Sequence, residues 1–322
     1  MRTWTQKHYG GTEQLRLTEA TEPTPGAGEV VVRVKAAAVD RGTWHVMTGT
    51  PLIARPALGF RGPRAGFSTP GRDFAGVVEA VGSDAVGWAV GDAVHGTTNG
   101  SLAELVTASV KRIARPPANL TTAEAAALPI SGLTAYQAVR GAKVVAGQRV
   151  LVVGASGGVG HLAVQLAIAA GAVVTAVCRP AGIALMHQLG AKHVIDRTSD
   201  ALDSEGVQYD DVIDIASNRP RRELRSVLTE RGTLVCVGTE TGGLTGGLHR
   251  SIAAALLSPF VKQRLVMHMS KELGSDLAEL DAIVEESKVR PVIDLTVPFE
   301  DVPRAIDHVG AGNALGKVVV TL

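Results

Sequence analysis

Aromatic side chains are scarce: Phe, Trp and Tyr together make up 3% of the 322 residues. The interior must therefore be built from Val, Ala, Leu and Ile. Cysteine is scarcer still, with Cys178 and Cys236 the only two. That excludes a disulfide framework and points to a reducing cytosol as the expected location. Both cysteines sit in apolar, strand-like runs and read as small buried core residues. No stretch reaches the ~20 uninterrupted apolar residues needed to span a bilayer. The opening Met1-Arg2-Thr3-Trp4-Thr5-Gln6-Lys7 lacks the apolar centre of a signal peptide. No Lys/Arg run or basic stripe is present, and the formal net charge is +1. Nucleic acid and anionic membranes are therefore not expected partners.

What is there suits a globular enzyme of two domains, with 45% apolar and 20% charged residues. The 37 glycines imply many tight turns and close backbone approaches. Residues 1 to about 118 read as β-rich. Val30–Ala36, Phe74–Gly82, Ala93–Gly96 and Leu102–Thr107 have strand character, and helical periodicity is scarce. After Arg115-Pro116-Pro117 the texture changes. Thr121 and Glu124 have the spacing of a capping box at a helix start.

From Arg149 onward strands and helices alternate. Strands are expected near 150–153, 173–177, 193–195, 211–215, 233–237 and 264–268. Helices are expected at 158–170, 181–189, 220–230 and 248–257. Six strands with interposed helices predict a doubly wound parallel sheet, making the chain α/β overall. Near the end, Leu277, Leu280, Ile283 and Val284 have helical spacing within 276–287. Val292–Val297 and Lys317–Leu322 read as strands able to complete the N-terminal β domain. The expected division is 1–118 completed by 271–322, with 119–270 as the second domain.

The strongest local signal is the run Val150-Leu151-Val152-Val153-Gly154-Ala155-Ser156-Gly157-Gly158-Val159-Gly160, followed by an apolar helical stretch. Four apolar residues make a buried strand. Four glycines let the chain turn tightly and approach a bulky anion. The helix that follows aims free N–H groups and a positive dipole end at it. This combination predicts a dinucleotide-binding loop over Gly154–Gly160. NAD sites usually carry Asp or Glu at the end of the second strand, to accept from the ribose 2′-OH. Here Val173-Val174-Thr175-Ala176-Val177 leads to Cys178 and Arg179. A guanidinium suits a 2′-phosphate, so NADPH is the expected cofactor, with Cys178 and Arg179 beside it. The bland alternative for Arg179 is a solvated turn residue ahead of Pro180.

With these residues in hand, the chain resembles the medium-chain dehydrogenase/reductase superfamily, in its zinc-independent quinone oxidoreductase-like branch. The likeness runs along the whole chain. Gly26-Ala27-Gly28-Glu29-Val30-Val31-Val32, Gly71-Arg72-Asp73-Phe74-Ala75-Gly76 and Gly91-Asp92-Ala93-Val94 carry it early. Ala125-Ala126-Ala127-Leu128-Pro129, Leu133-Thr134-Ala135, the glycine loop, Leu189-Gly190-Ala191, Gly232-Thr233-Leu234-Val235 and Gly316-Lys317-Val318-Val319 follow in order. The resemblance implies a GroES-like β-barrel catalytic domain and a Rossmann domain that holds NADPH. It also implies a homodimer through Rossmann edge strands, with Arg264–Met269 the candidate edge.

Zinc members of the superfamily use an early Cys and a His in a Gly-His-Glu motif. Here Gly71-Arg72-Asp73 and Val39-Asp40-Arg41-Gly42-Thr43 stand in those places, and the four-cysteine structural lobe is missing. An arginine cannot ligate a metal, so no zinc is expected. Without that Lewis acid, reduction of an already electron-poor quinone or enone is easier to account for than oxidation of a simple alcohol.

Relatives often have Asn where Asp40 stands, Asp where Thr43 stands and, in some, Tyr where His45 stands. Asp40 and His45 are the candidate catalytic groups, as partner-orienting residue and proton donor, against the alternative of satisfied structural polar groups. Trp44 is a candidate stacking platform or a core residue. Thr134 matches a hydroxyl that lies beside the nicotinamide or substrate in relatives, and Tyr136 is a weaker candidate. Gly238 is expected to admit the nicotinamide ring. Lys317 is expected near the cofactor, or else on an edge strand. The Gly/Pro-rich stretch 51–71, with Arg55, Arg61 and Arg64, is expected to set substrate choice. The expected activity is NADPH-dependent reduction of quinones or α,β-unsaturated carbonyls. The alternatives are a zinc-free alcohol/ketone oxidoreductase and a non-enzymatic NADPH-binding sensor or structural protein.

Overall fold

The computed structural model describes residues 1–198, 202, 206–215, 218–238, 245 and 258–322. The helix expected over 248–257 lies outside them. The chain divides into two compact units. The first is Met1–Leu133, Glu272–Glu286 and Arg290–Leu322; the second is Thr134–Lys271 and Ser287–Val289.

The first unit opens with β1 (Arg2–Thr5), β2 (Arg16–Glu19) and β3 (Glu29–Val39). Two short helices follow, α1 (Arg41–Thr48) and α2 (Arg55–Leu58). Next come β4 (Asp73–Val81), β5 (Ala93–Thr97), β6 (Leu105–Ser109), β7 (Ile113–Ala114) and α3 (Thr122–Ala127). Helix α4 (Pro129–Ala142) starts in the first unit and ends in the second.

The second unit contains β8 (Arg149–Val153), α5 (Gly160–Ala169), β9 (Val173–Cys178), α6 (Ile183–Gln188) and β10 (His193–Asp196). It continues with β11 (Tyr209–Ile215), α7 (Arg221–Ser226), β12 (Leu228–Val237) and β13 (Arg264–His268). The chain then re-enters the first unit as α8 (Gly274–Glu286), β14 (Ile293–Pro298), α9 (Val302–Gly310) and β15 (Lys317–Thr321).

In the first unit the strand path is β14-β15-β3-β4-β5-β7, with β6 also on β3. The eleven residues of β3 make this possible: Glu29–Arg33 pairs with β6 and Ala36–Val39 with β15, while β4 lies along the other edge. Its β-branched residues favour the extended pleat. Val30, Val32, Val34 and Val39 join Phe74, Val94, Val318 and Val320 in one core. On the opposite face Ala36, Ala38 and Ala75 meet Ala125–Ala127 of α3. Small side chains on both sides let this helix sit close to the sheet, which is how a chain poor in aromatics still packs densely. The capping box expected at Thr121 and Glu124 is formed.

Helix α1, capped by Asp40, and helix α9 are present where the sequence pattern predicts no helix. Helix α9 buries Val302, Ala305, Ile306 and Val309, a stripe of helical spacing, and has a proline in its first turn.

Among the described residues of the second unit the five strand pairings are parallel, in the order β10-β9-β8-β11-β12-β13. Numbered from β8, this is the 3-2-1-4-5-6 order of the Rossmann fold, and the order reverses beside β8. The helix expected over 220–230 is shorter. It ends at Ser226, and Leu228 already pairs with Tyr209 as β12. Helix α6 is likewise preceded by a 3-10 turn over Pro180–Gly182.

Candidate active site

The glycine loop leaves the carboxyl end of β8, whose residues Val150–Val153 are buried. Gly154 has φ +80°, and a Cβ there would lie 2.4 Å from the Ile215 carbonyl oxygen. A Cβ on Gly160 would lie 2.2 Å from the Gly154 oxygen and 2.6 Å from that of Ala155. Both positions therefore demand glycine for the fold itself. Gly157 differs, because a Cβ there meets only the Gly154 oxygen at 3.6 Å. Its missing side chain leaves room for something outside the protein.

Val159 precedes α5 and gives it no side-chain cap. The helix start thus retains N–H groups for an anion. Sequence reasoning missed His161, which is fully buried. Its Nδ1 lies 2.9 Å from the Gly157 carbonyl oxygen, which also accepts the His161 backbone N–H at 3.2 Å. The imidazole N–H donates to that oxygen and braces the loop. Nothing in the spacing of the motif marks this residue. These features fit a bound pyrophosphate.

Register places the ends of three strands side by side. Val153 pairs with Val177, and Cys178 pairs with Asp196. Arg179 and Arg197 therefore leave the sheet at the same edge as the glycine loop. The Arg197 N–H donates to the Cys178 oxygen at 2.9 Å. The Cys178 thiol is pushed up to about 11, first by burial and then by Asp196, with Arg179 and Arg197 opposing. It is a packed, protonated neighbour rather than a nucleophile. Ser156 is buried against Gly182, where a Cβ would lie 2.5 Å from the Ser156 Cβ. The carboxylate of Asp196 is turned to the Thr198 N–H and hydroxyl at 2.8 and 2.7 Å. Arg197 is a candidate missed in the sequence, because it follows the third strand rather than the second. Gly238 follows β12 with φ +72° and open space where a Cβ would be.

In the first unit, Asp40 ends β3 and caps α1. Its Oδ1 accepts the Thr43 N–H at 2.7 Å and the Thr43 hydroxyl at 3.0 Å. Its buried Oδ2 has no hydrogen-bond partner within the protein. His45 lies in the last turn of α1 and is half-buried. Trp44 packs against α9, where a Cβ on Gly310 would sit 2.7 Å from the indole. This contact supports the core alternative for Trp44 over a stacking platform. The Arg41 guanidinium donates to the Val309 and Gly310 oxygens, at 2.9 and 2.7 Å, and closes the carboxyl end of α9.

Lys317 is not a surface lysine on an edge strand, because β15 lies between β14 and β3. The side chain is 1% exposed, and its ammonium donates to Asp73 Oδ2 at 2.9 Å and Ser131 Oγ at 3.0 Å. The other oxygen of Asp73 accepts the Ile130 N–H at 2.7 Å, in the first turn of α4. Burial pushes the Asp73 carboxyl up to about 6, against the pull of Lys317 and with a smaller push from Asp40. The last strand thus pins the start of the helix that carries Thr134 and Tyr136.

The stretch 71–73 cannot hold a metal through Arg72, whose guanidinium pairs with Glu272, as does that of Arg112. Among the described residues no cluster of three or more His, Cys, Asp or Glu side chains could bind one. The donor set does not fit zinc.

Comparison with known proteins agrees with this architecture. Residues 26–118 match the alcohol dehydrogenase GroES-like domain, and residues 189–320 match a family described as zinc-binding dehydrogenase. The chain is 34% identical to a chloroplast envelope quinone oxidoreductase homolog of Arabidopsis thaliana, over 97% of this chain and 95% of that one. It is 31% identical to a 2-methylene-furan-3-one reductase of Solanum lycopersicum, over 99% of this chain and 79% of that one. The solved quinone oxidoreductase of Coxiella burnetii superposes with a TM-score of 0.88 at 27% identity, covering 100% of this chain and 99% of the other.

Proposed function

The chain belongs to the medium-chain dehydrogenase/reductase superfamily, in its quinone oxidoreductase-like branch, and we propose that it reduces quinones or α,β-unsaturated carbonyls with NADPH, without zinc. When bound, the nicotinamide cofactor supplies a hydride. The carrying observation is the loop Gly154–Gly160 with Arg179 and Arg197 at the same sheet edge and no carboxylate at the end of β9.

The loop N–H groups and the uncapped start of α5 hold the pyrophosphate, and His161 keeps the Gly157 carbonyl turned inward. Arg179 and Arg197 receive the 2′-phosphate. On the acceptor side Thr134 orients by its hydroxyl. His45 is the group suited to deliver the proton that accompanies hydride transfer, and Asp40 is suited to orient its partner.

A second reading, a zinc-free alcohol or ketone oxidoreductase, is favoured by one observation. The unpartnered Asp40 Oδ2 is an acceptor suited to a substrate hydroxyl. A panel of quinones, enones and alcohols separates the two by relative turnover. Removing a charge-assisted hydrogen bond costs about 1.5–3 kcal/mol. Arg179→Ala and Arg197→Ala should therefore each lower kcat/KM for NADPH by roughly 10- to 100-fold and leave NADH unchanged. Equal losses with both cofactors would remove the arginines from the 2′-phosphate.

The buried cysteines Cys178 and Cys236, neither of them in a disulfide, suit a reducing cytosol. The outer edge of β13, last in the sheet order, suits pairing with a second copy.

A further inference from the structure

Away from the groups assigned above, a titratable pair lies buried in the first unit. His95 on β5 is 0% exposed, and Asp281 on α8 is buried against it. The imidazole Nδ1 is 2.9 Å from the Ala125 carbonyl oxygen on α3, and Nε2 is 2.9 Å from Asp281 Oδ2. A carbonyl oxygen can only accept, so Nδ1 carries a hydrogen. Nε2 then faces a carboxyl oxygen, and the two attract only if a second hydrogen lies between them. It sits either on the ring, giving an imidazolium and a carboxylate, or on the acid, giving two neutral groups. In both forms the pair holds one proton more than a neutral imidazole beside a carboxylate.

The surroundings leave that proton in place. Beside His95, β4 and β7 present Ala75 and Ala114. Besides Asp281, α8 carries Asp276, Glu279, Glu285 and Glu286, and Glu285 accepts the Ala118 N–H at 3.0 Å. The turn before β7 contributes Lys111 and Arg112, of which Arg112 is paired with Glu272. On α3, Glu124 is engaged by Thr121 and Arg290. Burial is the largest influence on the Asp281 carboxyl and pushes it up. Glu285 pushes the same way, and His95 pulls it down. The second oxygen of Asp281 is buried without a partner, as expected where that carboxyl carries the hydrogen.

We propose that His95 and Asp281 share one bound proton, and that this proton latches α8 onto β5 and α3 and is lost at alkaline pH. Helix α8 follows Glu272, the partner of Arg72 and Arg112, so the latch seats the segment by which the chain re-enters this unit. In the unfolded chain an imidazole titrates near ~6.5 and an aspartate near ~3.9, so above about pH 7 neither holds the proton. The native unit does. Its stability is complete below the unfolded imidazole value and falls as pH rises, by about tenfold in the folding constant per pH unit, until the pair gives up its proton.

Asp281→Asn separates the proton from the packing. Its amide N–H donates to Nε2, and Nδ1–H stays on the Ala125 oxygen, with no added proton. The test is urea unfolding of the full chain from pH 7 to 8.5, with proton release at pH 7.5 measured by calorimetry in buffers of different ionisation enthalpy. The expected result is that the wild type loses stability relative to Asp281→Asn by about tenfold per pH unit and releases about one more proton. Parallel pH curves with equal proton release would overturn the proposal. Should the variant fail to fold, nitrogen-15 spectra of labelled histidine in the wild-type protein decide. A bridged Nε2 at pH 7.5 supports the latch, and a bare Nε2 overturns it.

Discussion

Replacing Lys317 by Met tests the internal role that the structure gives this residue. Lys317 is 1% exposed and Asp73 is 0% exposed, so water replaces neither partner when the other is removed. Met fills the space of the lysine stem but supplies no donor. Asp73 then keeps the Ile130 N–H on one oxygen and has nothing for the other, with Asp40 adding a like charge nearby. Breaking a buried pair from one side costs about 3–5 kcal/mol. For a protein of this size that lowers Tm by roughly 4–7 °C. Changing both partners removes the orphaned charge, so Lys317→Met with Asp73→Asn should recover most of the loss.

The sign with pH follows from the same geometry. Without Lys317 the folded carboxyl titrates still higher than about 6, and its proton is held more tightly than in the unfolded chain. The single variant is therefore least impaired in acid and loses stability as pH rises through the carboxyl's folded value. Urea unfolding of the wild type, both single variants and the double at pH 5 and 7.5 measures the whole cycle. A loss under about 1 kcal/mol for Lys317→Met, or a double variant as unstable as the sum of the singles, would refute the reasoning.

Gly157→Ala should fold with nearly wild-type Tm, since its Cβ meets only one atom at 3.6 Å, yet bind NADPH at least tenfold more weakly by fluorescence titration. Gly160→Ala, whose Cβ would fall 2.2 Å from a carbonyl oxygen, should lose stability itself. Asp211 is raised to about 6, chiefly by burial, and its Oδ2 is unpartnered. Its ionisation therefore costs stability as pH rises from about 4 through about 6. Asp211→Asn should remove that fall and raise stability at pH 7 by about 1–2 kcal/mol, read by urea unfolding.

The parallel sheet was legible because its central strands carry continuous buried apolar runs, such as Val150–Val153, followed by Gly154, and Leu234–Val237, followed by Gly238. The glycine loop was legible for the same reason: all its parts are contiguous. Helix α1 was hidden in a polar stretch whose only buried residues are Thr43 and Met47, although Asp40 and Thr43 have cap spacing. Helix α9 carries a helical stripe of Val302, Ala305, Ile306 and Val309, but it is short and set between two strand-like segments. Roles set by distant partners could not be read from local pattern. Asp73 and Lys317 lie 244 positions apart, and His95 and Asp281 lie 186 apart. Both pairs are made by strand order and helix packing, which the linear sequence does not display.

The central claim is zinc-free, NADPH-dependent reduction of an electron-poor acceptor. The most direct measurement follows oxidation of NADPH and of NADH, at the nicotinamide absorbance, by chelator-treated protein. The acceptors are a small benzoquinone, a naphthoquinone and an enone. Turnover is expected with at least one acceptor, selective for NADPH and unchanged when zinc is added. Preference for NADH, a requirement for zinc, or turnover confined to simple alcohols would contradict it.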